Sequence, residues 1–221
     1  MLVLALDSST PVLTAGVARS GEGTAGVTVL AERTLTDAFA HAEELMPLVR
    51  AALADAGRTL SELDAVVTGL GPGPFTGLRV GIATGAALAD GLGIPVFGTG
   101  SHDGLAAGLP GTVLVVTDAR RREVYVSVHA DGVVVAGPAP VAPAAVPGWL
   151  ADAGAVPTVM TGPGVALLDG LLPVAAPALP LTAGLVGAVD LTAAPVPPVP
   201  LYLRRPDATE PSAVRKSVLG R

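Results

Sequence analysis

The residues best placed to do chemistry stand at the end of the first apolar run, in Asp7-Ser8-Ser9-Thr10-Pro11. A carboxylate at the end of a buried strand can hold a hydrated magnesium ion, and the amides and hydroxyls around it can meet a phosphate. Here Ser9 carries a Cβ that keeps a phosphate off the backbone, and Pro11 removes an amide donor. A nucleotide site built from Asp7, Ser8 and the later Thr76 is therefore expected to be weak. Ser8 and Ser9 lack the G-x-S-x-G surroundings of an activated nucleophile, and no histidine is obviously placed as their base. His41, His102 and His129 lie far apart with no i, i+4 partner, so neither a metal site nor a catalytic base is expected of them.

The second candidate is the glycine-rich run Gly71-Pro72-Gly73-Pro74-Phe75-Thr76-Gly77-Leu78-Arg79. A Walker-type phosphate loop needs Lys-Ser/Thr directly after its glycines; Leu78 and Arg79 stand there, and the dinucleotide-fingerprint spacing is absent. Free amides near Thr76 and Gly77 leave room for a weak anion contact. Gly77, Gly81, Gly85 and Ala89 then recur every fourth position of a helix, where each glycine costs up to ~1 kcal/mol relative to alanine. A stripe without side chains admits something at backbone distance. That is either another helix, with Leu78, Thr84 and Leu88 as flanking knobs, or the chain's own sheet, and the spacing leaves both open.

The elements that must hold these residues alternate in period. Leu2–Leu6, Val12–Ala18 and Val27–Arg33 read as successive strands of a meander. Thr36-Asp37 opens an amphipathic helix with Phe39, Leu45, Leu48, Val49 and Leu53 on one face, Pro47 as a kink and Gly57 at its close. Leu63–Gly69 is a strand, Phe75–Leu92 a helix and Pro95–Gly98 a strand. Strands first, then helix, strand, helix, strand, describe an α/β domain with a mixed sheet. After Ser101 the texture changes. Val113–Asp118 and Glu123–His129 form a hairpin around Ala119–Arg122, strand-like valines follow between prolines, and helices are expected at Val165–Leu171 and Thr182–Leu191. Asp118 and Thr161-Gly162-Pro163-Gly164 read as second-domain counterparts of Asp7 and the glycine loop. The expected units are 1–100, a smaller 101–205 and a basic tail, 206–221.

Composition narrows the function classes. The chain has 221 residues, is 50% hydrophobic, has a net charge of −6 and a mean hydropathy of +0.62. It can bury a core without staples, and its apolar runs break before the ~20 residues a membrane span needs. The acidic balance opposes a large nucleic-acid footprint; Arg120-Arg121-Arg122 and the tail from Arg204 are its small basic clusters, and Lys216 is its one lysine. The absence of cysteine suits a reducing cytosol. The start, Met1–Thr10, reads as a buried strand and not a signal peptide.

A strand ending in Asp7 resembles the opening of the actin-like ATPases and sugar kinases, where an aspartate followed by x-Gly-x-Thr approaches a nucleotide. More specifically, Ala5-Leu6-Asp7-Ser8-Ser9-Thr10, His41-Ala42-Glu43-Glu44-Leu45-Met46-Pro47, the block Gly71–Gly81, Asp118–Tyr125 and Pro200–Arg204 resemble the bacterial TsaB family of tRNA threonylcarbamoyladenosine biosynthesis proteins. The chain departs from the family pattern at Ala42 and Pro74, where serines are common. The resemblance is dense to about residue 130 and resumes at Pro200. It implies an actin-like, ribonuclease H-like fold of two α/β domains with the second reduced. It also implies a cytoplasmic, non-catalytic subunit with no cofactor of its own, at most a weak adenine nucleotide with magnesium at a subunit junction. Family members pair with the catalytic paralogue TsaD, which transfers a threonylcarbamoyl group to the adenosine beside the anticodon; TsaE, an ATPase, joins them, and tRNA is met only through the complex. Carried over, the pairing surface is Phe39, His41, Leu45, Leu48 and Val49 with Gly77, Leu78, Gly81, Thr84, Gly85 and Leu88, and the same surface is expected to form a homodimer when the partner is missing. The runner-up reading is a small ATPase or kinase using Asp7 to hold magnesium-nucleotide.

Overall fold

A computed structural model describes residues 1–21, 26–36, 41–176 and 181–204, and of His41 only its place in the backbone. In chain order the elements are β1 (Leu2–Asp7), β2 (Val12–Ser20), β3 (Val27–Thr36), α1 (His41–Asp55), β4 (Ala65–Gly69), α2 (Phe75–Leu92), β5 (Val96–Thr99) and α3 (Ser101–Ala106). There follow β6 (Thr112–Arg120), β7 (Glu123–Ala130), β8 (Val133–Val141), α4 (Val146–Asp152), β9 (Val159–Thr161) and α5 (Leu181–Gly187). Phe39 and the tail 206–221 lie outside the described residues.

Two sheets form. The first has five strands in the order β3-β2-β1-β4-β5, antiparallel through the meander and parallel from β1 to β4 to β5. The second repeats that plan with four, β8-β7-β6-β9, antiparallel through β6, β7 and β8 and parallel from β6 to β9. This duplicated arrangement is the actin-like fold. Asp118 stands two residues before the end of β6 where Asp7 ends β1, and Gly162 and Gly71 follow β9 and β4 with similar φ, +104° and +99°. Only a residue without Cβ takes that conformation at low cost, and each glycine opens a Gly-Pro-Gly turn.

Both faces of the first sheet are buried, so β1 reads as one continuous apolar run. Its residues still alternate: Leu2, Leu4 and Leu6 join the core under α1 and α2, with Leu45, Val49 and Leu53. Val3 and Ala5 join the opposite core with Val67, Phe97, Leu185 and Val186. The last two belong to α5, which packs on β2 and β3, so the chain from residue 181 returns to the first sheet although the sequence places it in the 101–205 unit. Apolar sequence cannot name its own docking face, and Gly16 decides it: a Cβ there would lie 1.9 Å from Thr182 Oγ1. Helix α1 runs through Pro47, and the expected helix Val165–Leu171 is a short 3-10 turn, Val165–Leu168.

Candidate functional site

Asp7 ends β1 with its side chain away from α1 and α2, buried to 1% exposure. Its Oδ1 accepts from the Ser9 amide at 2.9 Å and the Ser9 hydroxyl at 2.7 Å, and its Oδ2 accepts from the Ser101 hydroxyl of α3. Gly69 makes the space: a Cβ there would sit 1.8 Å from Asp7 Oδ2. Three donors of the chain itself thus solvate this carboxylate. Beside it lies a cavity of about 390 Å³ whose lining includes Thr10, Val12, Leu105, Pro163, Val174 and Leu181, with no Lys or Arg among its described residues.

Ser8 turns the other way. Its hydroxyl donates to the Gly77 carbonyl at 2.7 Å and accepts from the Gly81 amide at 3.0 Å. Gly81 N–H and Gly77 C=O are the ordinary i→i−4 partners of a helix, so the serine hydroxyl bridges one rung of the α2 ladder. A Cβ on Gly81 would lie 2.4 Å from Ser8 Oγ, and one on Gly85 would lie 2.3 Å from Thr68 Cγ2 of β4. This decides the glycine question. Gly81 and Gly85 are buried against the chain's own sheet and its first turn, not against a partner helix. Leu78, Leu45 and Val49 are likewise fully buried in the core, while Leu48, Thr84 and Leu88 are half-buried. Thr76 lies exposed on the first turn of α2.

What α2 turns outward is a second small-residue row, Ala83, Ala87 and Gly91, all exposed, with half-buried Val80, Thr84 and Leu88 beside it. Helix α1 lies alongside on the same sheet face, contributing half-buried Leu48 and exposed Pro47. A helix crossing at glycines does occur, but elsewhere. A Cβ on Gly184 of α5 would lie 2.0 Å from the Gly104 carbonyl of α3, so those two helices meet backbone to backbone.

The glycine loop is tied at both ends. Gly71 donates its amide to Ser101 Oγ and accepts from the Ser101 amide. The Leu201 amide donates to the Leu70 carbonyl at 2.8 Å, which brings residues 200–204 back across the molecule. Tyr202 then stacks on Phe75, with centroids 4.8 Å apart, and accepts from Arg79 Nε at 3.0 Å. The Arg79 guanidinium also lies over the Phe75 ring, 3.9 Å from its centroid. Two residues on, Arg204 donates to the Ala119 carbonyl at 2.6 Å and pairs with Glu123, across the β6–β7 turn of the second sheet. The sequence blocks Gly71–Gly81, Asp118–Tyr125 and Pro200–Arg204 are therefore one connected strap between the domains.

Sequence distance hid a polar cluster. Ser127 Oγ stands 2.7 Å from His102 Nδ1 and 3.0 Å from His129 Nε2, and His102 Nε2 stands 2.9 Å from Thr117 Oγ1. Asp103 faces His129 Nδ1 at 3.7 Å. Burial, aided by His129, pushes His102 down to about 3. It also pushes His129 down against the pull of Asp103, and Asp103 up. These neutral imidazoles pin the start of α3 to β6 and β7. Among the described residues no group of three or more acidic or histidine side chains is arranged to hold a metal ion, and no helix is long and apolar enough to cross a membrane.

Comparison with known proteins follows the same lines. A family model described as "TsaD: tRNA N6-adenosine threonylcarbamoyltransferase" matches residues 28–149. An uncharacterized protein of Mycobacterium tuberculosis is 51% identical over 212 residues, covering 96% of this chain and 95% of its own length. The tRNA threonylcarbamoyladenosine biosynthesis protein TsaB of Haemophilus influenzae is 34% identical over 132 residues, covering 58% of this chain and 53% of its own. A Pseudomonas aeruginosa crystal structure, of an uncharacterized protein with similarity to peptidase YEAZ, superposes with a TM-score of 0.71 at 27% identity, covering 92% of this chain and 99% of that one. The chain belongs to the family of that threonylcarbamoyltransferase model and is a TsaB-like member of it.

Proposed function

We propose that this chain serves in tRNA threonylcarbamoyladenosine biosynthesis as a cytoplasmic, non-catalytic scaffold that docks and activates a TsaD-family catalytic paralogue, with a TsaE-like ATPase joining the assembly. The observation that carries the reading is the bonding of the Ser8 hydroxyl to the Gly77 carbonyl and the Gly81 amide of α2. The turn that would face phosphate in an ATPase is here a brace for α2, and Asp7 is solvated by Ser9 and Ser101. The docking face is the outward side of α1 and α2: Leu48, Val80, Thr84 and Leu88 around exposed Ala83 and Ala87. Small residues there let a partner helix approach closely, while the half-buried aliphatic side chains supply apolar area. The role needs no cofactor of its own; an adenine nucleotide with magnesium would bind weakly, at the subunit junction.

Light scattering coupled to size exclusion, on the chain alone and mixed with the TsaD-family protein of its own organism, tests this. A homodimer that exchanges into a one-to-one heterodimer is expected, and Ala87→Arg should abolish both without unfolding the chain. Separate elution at micromolar concentration removes the scaffold reading. Magnesium-dependent ATP turnover lost in Asp7→Ala would install the ATPase reading in its place.

A further inference from the structure

We propose that the Arg120-Arg121-Arg122 turn between β6 and β7 is a phosphate-contacting tip for RNA. The choice of RNA as the polyanion rests on the function proposed above. Three consecutive arginines at one hairpin end are out of keeping with a chain of net charge −6. All three are exposed, and Arg122 has no ion pair among the described residues. Their backbone is unusual: φ is +61°, +53° and +63°, a left-handed run that hairpin turns ordinarily fill with glycine or asparagine. Bulky cationic side chains are kept where the backbone disfavours them.

The surroundings hold that conformation. Asp118 Oδ1 accepts the Arg120 amide at 2.7 Å, and Arg204 donates to the Ala119 carbonyl and pairs with Glu123. Of the tip's carboxylates, Asp118 stands 3.7 Å from Arg120 and Glu123 is paired with Arg204. The turn lies at a hairpin end with three exposed arginines in a row, an arrangement that suits an extended polyanion. Guanidinium forks match phosphate oxygens in pairs, and they need no base contact to do so.

The test is retention of the organism's unmodified tRNA on nitrocellulose across a salt series, made on the chain alone and on its mixture with the TsaD-family protein. It compares wild type, the triple Arg120→Ala, Arg121→Ala, Arg122→Ala variant and the corresponding triple lysine variant. Losing two or three phosphate contacts should flatten the slope of log affinity on log salt by about 2 to 3 and weaken binding tenfold or more at ~0.1 M salt. The lysine variant should keep most of the slope, since it keeps the charges. Equal slopes for wild type and the alanine variant, alone and mixed, overturn the proposal. So does loss of co-elution with the TsaD-family protein in the alanine variant with its tRNA slope unchanged, which would assign the turn to a protein contact. If wild type itself never co-elutes with that protein, the scaffold reading fails, and the measurement on the chain alone still decides this one.

Discussion

Gly81→Ala separates a helix glycine kept for a partner from one kept for the chain's own first turn. An alanine Cβ at 81 would lie 2.4 Å from Ser8 Oγ, well inside contact distance, so the serine must leave its place. Its hydroxyl would then lose the bonds to Gly77 and Gly81, each worth about 1 kcal/mol net. Repacking of the buried turn adds about 1 to 3 kcal/mol. Against this stands the gain of replacing a helical glycine, up to ~1 kcal/mol. The net expectation is a loss of about 2 to 4 kcal/mol, or roughly 4 to 16 °C in Tm for a chain of this size. Urea unfolding and a thermal melt measure it. The double variant Ser8→Ala, Gly81→Ala should recover part of the loss, because Ser8→Ala removes the clashing hydroxyl; such coupling is the signature of contact. Gly91→Ala is the matched control, with nothing within 4 Å of its added Cβ, and should stabilise by up to ~1 kcal/mol. A Gly81→Ala protein as stable as wild type, or more so, refutes the serine-bridge account.

Gly184→Ala should cost about 3 kcal/mol or more, since its Cβ meets the Gly104 carbonyl and backbone cannot step aside as a side chain can; a Tm unchanged within a degree would place the α3–α5 crossing wrongly. Acid should unfold the chain partly through His102. Its folded value of about 3 lies below the ordinary 6.5, so its contribution is complete above pH 6.5 and is lost as pH falls towards 3, at about 1.4 kcal/mol per unit. His102→Gln should flatten urea-derived stability between pH 6.5 and 4 by most of that slope; the raised Asp103 works in the opposite direction in both proteins, and identical slopes would show His102 protonated or exposed. Arg204→Ala removes a carbonyl donor and a half-exposed ion pair, for about 1 to 2 kcal/mol, and hydrogen exchange should quicken in the β6–β7 turn while α1 stays protected.

The first hundred residues were legible because period and burial agree there. β1 and β4 are apolar runs buried on both faces, and α1 and α2 carry apolar stripes over four to five turns. Leu-Gly-Pro-Gly at 70–73 and Thr-Gly-Pro-Gly at 161–164 also pointed to the internal duplication, since the first glycine of each takes a positive φ that favours glycine. Short elements left no period to read: α3 has six residues, α4 seven and β9 three. The inward glycines were ambiguous because a smooth stripe suits a sheet as well as a helix. What decided them, the Ser8 hydroxyl, sits 69 and 73 residues away along the chain. In the Ser127 cluster only His102 was hidden likewise, 25 residues away on α3, while Ser127 and His129 share β7 two residues apart.

The buried turn after β1 and the exposed strap at residues 200–204 explain how one α2 helix can serve two surfaces. Ser8 holds the inner side of α2 at Gly77 and Gly81, while Phe75 and Arg79 on its first turns hold Tyr202. Tyr202 is two residues from Arg204, which grips the arginine turn of the other sheet. A partner seated on Ala83 and Ala87 would therefore meet a helix whose position is already shared with the Arg120–Arg122 tip. If the helix shifts on docking, the strap is the covalent path by which the tip would follow. Cutting that path with Tyr202→Ala should leave heterodimer formation intact and weaken tRNA retention by the heterodimer, without changing retention by the chain alone. Weakened pairing instead would mean that Tyr202 belongs to the docking face itself.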